Sequence, residues 1–139
     1  MIELVRRTFE VDASVPDAWE HLARVEAWPS WAKHIKSVTL SPPGALSETT
    51  EGTLRLKGGA RSTFRVEAFD PPRRWCWVGS FLTVRVHYDH RFEDVSGRAR
   101  LTWVVEAEGP GARTLGRAFG AIYTRNLDRA IPTLQAEFR

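Results

Sequence analysis

The sequence predicts an α+β fold in which a curved, seven-stranded antiparallel sheet packs around one long C-terminal helix. Three features indicate this fold: an alternating N-terminal segment, a run of short alternating segments in the middle of the chain, and apolar residues at helical spacing near the C-terminus. The 139 residues are 42% hydrophobic, which suffices for one sizeable core. We therefore expect a single domain over residues 1–139.

The first element is predicted to be a strand over Ile2–Val11. Val5, Phe9 and Val11 lie on one side of a two-residue period, and Arg6 and Glu10 lie on the other. Such a strand buries one face and leaves the other in solvent.

Two short helices are predicted after the first strand. Ser14 can cap a helix, Pro16 is tolerated in its first turn, and Asp17 occupies the acidic third position of a capping box. A second short helix is expected within residues 27–32, with its first turn beginning at Pro29. Both helices precede the second strand.

A meander of six strands is predicted from Lys36 onward. Turn-forming residues separate its short alternating runs, at Pro42-Pro43-Gly44, Gly58-Gly59, Asp70-Pro71-Pro72, Gly79 and Ser96-Gly97.

The clearest strand of the meander is Leu82–Phe92, which should form a hairpin with Arg100–Glu108 through Ser96-Gly97. The inward face of the first strand is expected to carry Leu82, Val84, Val86, Tyr88, His90 and Phe92. The inward face of the second should carry Leu101, Trp103, Val105 and Ala107, with Arg100, Thr102 and Glu106 facing solvent.

The segment after Gly109-Pro110-Gly111 is predicted to be one long helix. Its apolar stripe consists of Leu115, Ala118, Phe119, Ile122, Tyr123, Leu127, Ala130, Ile131, Leu134 and Phe138. The stripe drifts by about a quarter turn between its two halves, which suits packing against a curved surface.

Composition and charge exclude several classes of function. The net charge is +3, and the 20 basic residues are interleaved with 17 acidic ones, so we expect no nucleic-acid binding. The chain has no apolar run long enough to span a membrane and no signal-peptide pattern at its start, which predicts a cytoplasmic protein without stable membrane insertion. The single cysteine, Cys76, excludes an internal disulfide and is expected to be an inert buried residue.

Short motifs along the whole chain resemble those of a known family. They are ASVPDAW at 13–19, WPSW at 28–31, EGT at 51–53, FDPPRR at 69–74, HRF at 90–92 and GRARLTW at 97–103. With the order of elements, they make the sequence similar to the START-like helix-grip (SRPBCC) superfamily, in its polyketide cyclase/dehydrase-like branch. The resemblance implies a cavity between sheet and C-terminal helix that binds lipids, polyketides, quinones or hormones and only sometimes catalyses a reaction.

Tyr88 and His90 are the most informative candidates, because they interrupt an otherwise apolar inward face. They could hydrogen-bond a ligand carbonyl or hydroxyl, or His90 could transfer protons. The alternative is structural: the Tyr88 hydroxyl reaches the cavity rim and His90 bonds a neighbouring backbone group.

Aromatic residues and one amide complete the predicted ligand site. Trp31, Trp77 and Trp103 offer flat apolar surfaces with one N–H donor each, although core filling explains such residues equally well. On the long helix, Phe119 and Tyr123 lie on the early stripe. Asn126 is either a cavity amide or an exposed edge residue.

Neither a metal nor a cofactor is expected. His87 and Asp89 alternate with His90 along one strand, so they point to the opposite face and cannot join it at one ion.

The leading interpretation is a binding or carrier protein for a hydrophobic, ring-containing small molecule, acting as a monomer or homodimer. A cyclase or dehydratase using Tyr88 and His90 in the same cavity is the alternative, and a protein-interaction or chaperone-cofactor role is the third.

Overall fold

A computed structural model describes residues 1–139. Seven strands form one antiparallel sheet: β1 (Ile2–Val11), β2 (Ile35–Ser41), β3 (Glu51–Leu56), β4 (Arg61–Asp70), β5 (Arg74–Phe81), β6 (Val84–Val95) and β7 (Arg98–Glu108). Their order is β1-β7-β6-β5-β4-β3-β2, so β1 pairs with β7 at the end of the meander from β2 to β7. The helices are α1 (Val15–Ala23), a 3₁₀ helix (Val25–Ser30) and α2 (Leu115–Glu137). The predicted α+β helix-grip architecture is confirmed.

Helix α1 begins where the capping residues in the sequence predicted. The backbone N–H of Asp17 donates to the Ser14 hydroxyl oxygen at 3.3 Å, and Pro16 lies in the first turn. The capping residue therefore satisfies one of the free N–H groups at the helix start.

The second short helix begins earlier than predicted. The 3₁₀ helix starts at Val25, and Pro29 lies near its end rather than in its first turn. The Trp28 indole N–H donates to the Leu22 carbonyl at 2.9 Å, which holds this segment directly against the end of α1. No linker is left between the two helices, so the expected position of Pro29 was wrong.

The β6–β7 hairpin confirms the predicted register. Its turn is Ser96-Gly97, both residues having positive φ, and Trp103 of β7 lies opposite His90 of β6. The predicted inward residues of β7 are buried: Leu101, Trp103, Val105 and Ala107. Their neighbours on the other face are half-buried: Arg100, Thr102 and Glu106.

Two predictions for the β5–β6 hairpin were wrong. Leu82 lies in the two-residue turn with φ of 56° and is 72% exposed, so it is absent from the inward face, and β6 begins at Val84. Gly79 lies inside β5 rather than at a break. A Cβ at Gly79 would lie 2.6 Å from the Thr63 carbonyl oxygen, so glycine here permits the close approach of β4.

The first half of α2 is rotated relative to the predicted stripe. Its buried positions there are Gly116 and Gly120, and a Cβ at Gly120 would lie 3.1 Å from the Leu4 Cβ. This close packing on β1 leaves Ala118 exposed, and Ile122 is 62% exposed. The predicted burial of these two residues was therefore wrong, although Ile122 still borders the cavity between α2 and the sheet.

Polar contacts fix α2 along its length. Asp128 accepts hydrogen bonds from the Arg7 guanidinium, the shorter being 2.8 Å. Near the C-terminal end, Glu137 lies 2.8 Å from His21 and accepts a hydrogen bond from Ser30 at 2.6 Å. Neither α2 nor any shorter helix combines the length and apolarity needed to cross a membrane.

Candidate functional site

A cavity of about 130 Å³ lies between the inner face of the sheet and α2. Aromatic and aliphatic side chains form most of its wall, and no Asp, Glu, Lys or Arg lines it. Because a charge is costly to bury without a partner, this wall suits the uncharged part of a molecule.

All eight residues predicted for the site line this cavity: Trp31, Trp77, Tyr88, His90, Trp103, Phe119, Tyr123 and Asn126. The strand residues meet there because alternate positions of β5, β6 and β7 face inward in register. The helical residues meet there because positions three and four apart share one face of α2. Their contact with a ligand remains a prediction.

Sequence reasoning missed several other lining residues. Trp28 and His34 flank the segment that enters β2, and Ser62 comes from β4. Leu54 and Leu56 alternate on β3, which is a signal that the sequence contained. The remaining missed residues are Ala32, Ile35, Phe64, Ile122, Leu127 and Ala130.

His90 is held deep in the wall of the cavity. Its side chain is 3% exposed and stacks on Trp75, with ring centroids 4.3 Å apart. Burial lowers the pKa of His90 from its ordinary 6.5 to about 3, so the imidazole is neutral at physiological pH. Its Nδ1 atom is buried and has no hydrogen-bond partner of good geometry. Backbone groups of Trp75 and Tyr88 are nevertheless near enough to oppose the lowering of its pKa, so the structural interpretation of His90 stays open.

Two indole N–H groups beside His90 are also buried without partners. They belong to Trp75 and Trp103, and the Trp103 ring centroid lies 5.7 Å from that of His90. The Trp28 indole, in contrast, bonds a backbone carbonyl. Buried polar atoms without partners are rare in native proteins, so each one requires an explanation.

Tyr88 and Tyr123 provide two further neutral groups. Their ring centroids are 5.6 Å apart, and burial raises the pKa of both phenols. Both hydroxyls therefore stay protonated near pH 7 and can act as hydrogen-bond donors. The deep polar groups of the cavity are all neutral at this pH.

A second cluster of polar side chains lies on the opposite, outer face of the sheet. Donor atoms of Glu67, Cys76 and His87 lie within 4.8 Å of one another, and their types are those that bind Zn²⁺. However, the two ring nitrogens of His87 already contact Glu67 at 2.6 Å and Glu108 at 2.9 Å. Burial and the neighbouring Glu67 raise the pKa of the Cys76 thiol, which disfavours the thiolate that a metal requires.

Comparison with known families gives one match over nearly the whole chain. Residues 3–134 match the family described as polyketide cyclase/dehydrase and lipid transport. Uncharacterized proteins of Mycobacterium tuberculosis and Mycobacterium bovis are 27% identical over 111 residues, which is 73% of this chain. The chain spans 64% of the length of these relatives.

Solved structures share the fold at low sequence identity. A hypothetical protein from Helicobacter pylori has a TM-score of 0.79 at 16% identity and covers 96% of this chain and 86% of its own. Protein XoxI from Bacillus cereus has a TM-score of 0.73 at 15% identity, with 99% and 96% covered. The di-domain ARO/CYC StfQ from the steffimycin biosynthetic pathway has a TM-score of 0.68 at 13% identity, with 94% and 47% covered.

Proposed function

The chain belongs to the polyketide cyclase/dehydrase and lipid transport family, and on that premise we propose that it binds a hydrophobic, ring-containing small molecule between the sheet and α2. The observation that carries this proposal is an apolar cavity lined by His90 and Trp103, whose rings carry buried nitrogen atoms without partners. These two atoms expose almost no surface to the cavity, so we expect the rings to turn on binding, when a ligand oxygen can pair with them.

The volume of the cavity limits how much of a ligand it can enclose. Its volume of about 130 Å³ is close to that of an engineered apolar cavity of roughly 150 Å³ that accepts benzene. The enclosed part of the ligand is therefore about one six-membered ring. A longer lipid, polyketide or quinone would extend outward past Ile122, which lines the cavity and is mostly exposed.

The polar groups orient the ligand in this proposal. The Trp103 N–H can only donate, so it selects a carbonyl or hydroxyl oxygen. Neutral His90 can donate from one nitrogen and accept at the other, which accommodates a hydroxyl group. Recognition by a few polar groups in an apolar wall is typical of small-molecule sites.

The pKa values of His90, Tyr88 and Tyr123 favour a binding function over a catalytic one. A histidine with a pKa of about 3 is a weak general base near pH 7, and phenols with raised pKa values are weak acids. Acid-base catalysis generally requires two groups whose pKa values are separated, so that one donates and the other accepts a proton at the working pH.

Native mass spectrometry of the purified protein, before and after organic extraction, tests the proposal. We expect a mass excess that extraction removes, and the released compound should rebind. Ser62 lines the cavity from β4. Because the larger leucine side chain would fill part of the cavity, Ser62→Leu should weaken rebinding by about tenfold or more. The matched control is Ser37→Leu, at a half-buried β2 serine that does not line the cavity, and it should rebind normally. Equal rebinding by both variants would place the ligand elsewhere.

A further inference from the structure

A basic groove of about 340 Å³ adjoins the cavity, and three cationic side chains line it: Lys33, Lys57 and Arg129. Groove and cavity have four lining residues in common, namely Trp31, His34, Asn126 and Ala130. A molecule seated in the cavity can therefore extend into the groove.

The three cations have no acidic partners in the protein. None of them takes part in an ion pair, and no carboxylate lines the groove. Nine of the sixteen other arginines form ion pairs, as Arg7 does with Asp128 and Arg74 does with Asp89. A groove with three unpaired positive charges attracts an anion.

Tertiary structure, rather than a local run of basic residues, brings these cations together. Lys33 precedes β2, Lys57 follows β3, and Arg129 lies on α2. The backbone N–H of Lys57 donates to the His34 carbonyl at 2.9 Å, which ties the first two segments together. The three cations are therefore held next to one another by ordered elements of the fold.

We propose that the ligand is a hydrophobic acid, whose ring lies in the cavity and whose carboxylate or phosphate lies in the groove among Lys33, Lys57 and Arg129. This inference rests on the proposed function. The uncharged cavity cannot accept the anionic end, whereas lysine and arginine side chains bind both kinds of anion. The site thus selects molecules with one apolar end and one negative end.

Calorimetric titration with three related probes tests the inference: 4-propylbenzoate, 4-propylphenyl phosphate and the uncharged 4-propylbenzamide. At low salt, we expect at least one acid to bind about tenfold more tightly than the amide, since each solvent-accessible charge contact adds modestly. The tighter of the two acids identifies the head group. Raising the salt concentration should reduce the preference for the acid.

A charge-matched pair of variants separates the groove from general electrostatics. Lys33→Gln/Lys57→Gln/Arg129→Gln should lower the preference for the acid to within about twofold while still binding the amide. The control, Lys36→Gln/Arg61→Gln/Arg117→Gln, removes the same charge from exposed residues that line neither cavity nor groove, and it should keep the preference.

Two results would overturn the inference. If the wild-type protein binds acid and amide equally, or if the control loses the preference as fully as the groove variant, the groove does not select anions although the cavity still binds ligands. If no probe binds, the compound released on extraction decides: an uncharged compound overturns the inference alone, and the absence of any compound overturns the proposed function as well.

Discussion

At the scale of single residues, the cavity is distinguished by nitrogen atoms that are buried without hydrogen-bond partners. They lie on His90 and Trp103, which line the cavity, and on Trp75, which stacks on His90 but does not line the cavity. Each such atom costs roughly 1–3 kcal/mol of folding free energy when no partner replaces water. A bound ligand that supplies a partner recovers part of that cost, which couples ligand affinity to the stability of the free protein.

His90→Phe should raise the stability of the ligand-free protein and weaken ligand binding. The substitution removes a buried atom that lacks a partner while keeping an aromatic ring against Trp75. We expect the free energy of unfolding to increase by about 1 kcal/mol and the ligand affinity to fall by about 0.5–1.5 kcal/mol. Urea unfolding and calorimetry measure the two effects. A destabilised variant with unchanged affinity would contradict this role for His90.

His90 should also make the protein sensitive to acid. Its folded pKa is about 3 against an ordinary 6.5, so the unfolded chain binds a proton that the folded chain refuses between these values. Stability should therefore fall as the pH drops from about 6.5 toward 3, by up to about 1.4 kcal/mol per pH unit. The His90→Phe variant lacks this contribution, so the wild-type and variant stabilities should diverge as the pH is lowered.

Two other histidines have shifted pKa values and are common to both proteins. Burial lowers the pKa of His34, which acts in the same direction as His90, whereas His87 acts in the opposite direction. Burial opposes its charged form, but hydrogen bonds to Glu67 and Glu108 outweigh burial and raise its pKa. Its contribution is present below the ordinary pKa of 6.5 and is lost as the pH rises through its folded pKa. Parallel stability curves for the wild-type protein and the His90→Phe variant between pH 7 and pH 4 would refute the assignment to His90.

At the scale of elements, the cavity depends on how closely strands and helix approach one another. Gly79 allows β4 to approach β5 at Thr63, and Gly120 allows α2 to approach β1 at Leu4. Neither glycine lines the cavity, but β4, β5 and α2 all contribute side chains to its wall. A side chain at either position requires the neighbouring element to move.

Gly79→Ala should lower the free energy of unfolding by about 1–3 kcal/mol, because its Cβ would lie 2.6 Å from a backbone oxygen. The neighbouring Ser80→Ala, on an exposed position of the same strand, should change stability by less than about 0.5 kcal/mol. Chemical denaturation of both variants provides the comparison. Equal stability of the two would show that β4 moves away at little cost.

At this scale, the alternation of apolar and polar residues allowed the inner faces of the strands to be predicted from the sequence. Along β6 and β7 the two-residue period assigns His90 and Trp103 correctly to the inner face, because one face of each strand is buried. Leu82 was misassigned because it lies in a tight turn, and Ala118 because α2 packs on β1 through Gly116 and Gly120; neither effect leaves a periodic signal. The grouping of Lys33, Lys57 and Arg129 was beyond prediction, since it depends on contacts between distant segments.

At the scale of the whole molecule, apolar surface is concentrated inside. The large hydrophobic residues that remain exposed are Met1, Leu82 and Ile122, which lie at the N-terminus, in the β5–β6 turn and on α2. Isolated exposed residues of this kind are normal on a monomer, whereas a protein-interaction surface generally presents a larger continuous patch.

The chain is therefore expected to be monomeric in solution. Sedimentation velocity over a hundredfold range of concentration should give one species of about 15.8 kDa. A dimer that forms with increasing concentration would support the protein-interaction alternative, and loss of that dimer on changing Ile122→Glu would locate it at the mouth of the cavity.

The central claim, that a ligand occupies the cavity and bonds its unpaired nitrogens, is tested most directly by the indole N–H signals of the six tryptophans in a ¹⁵N NMR titration. With 4-propylbenzamide or the extracted compound, the Trp103 signal should shift strongly, because its N–H gains a partner. The Trp19 signal should stay nearly constant, since Trp19 does not line the cavity. Saturable binding that leaves the Trp103 signal in place and shifts the Trp19 signal would contradict the account.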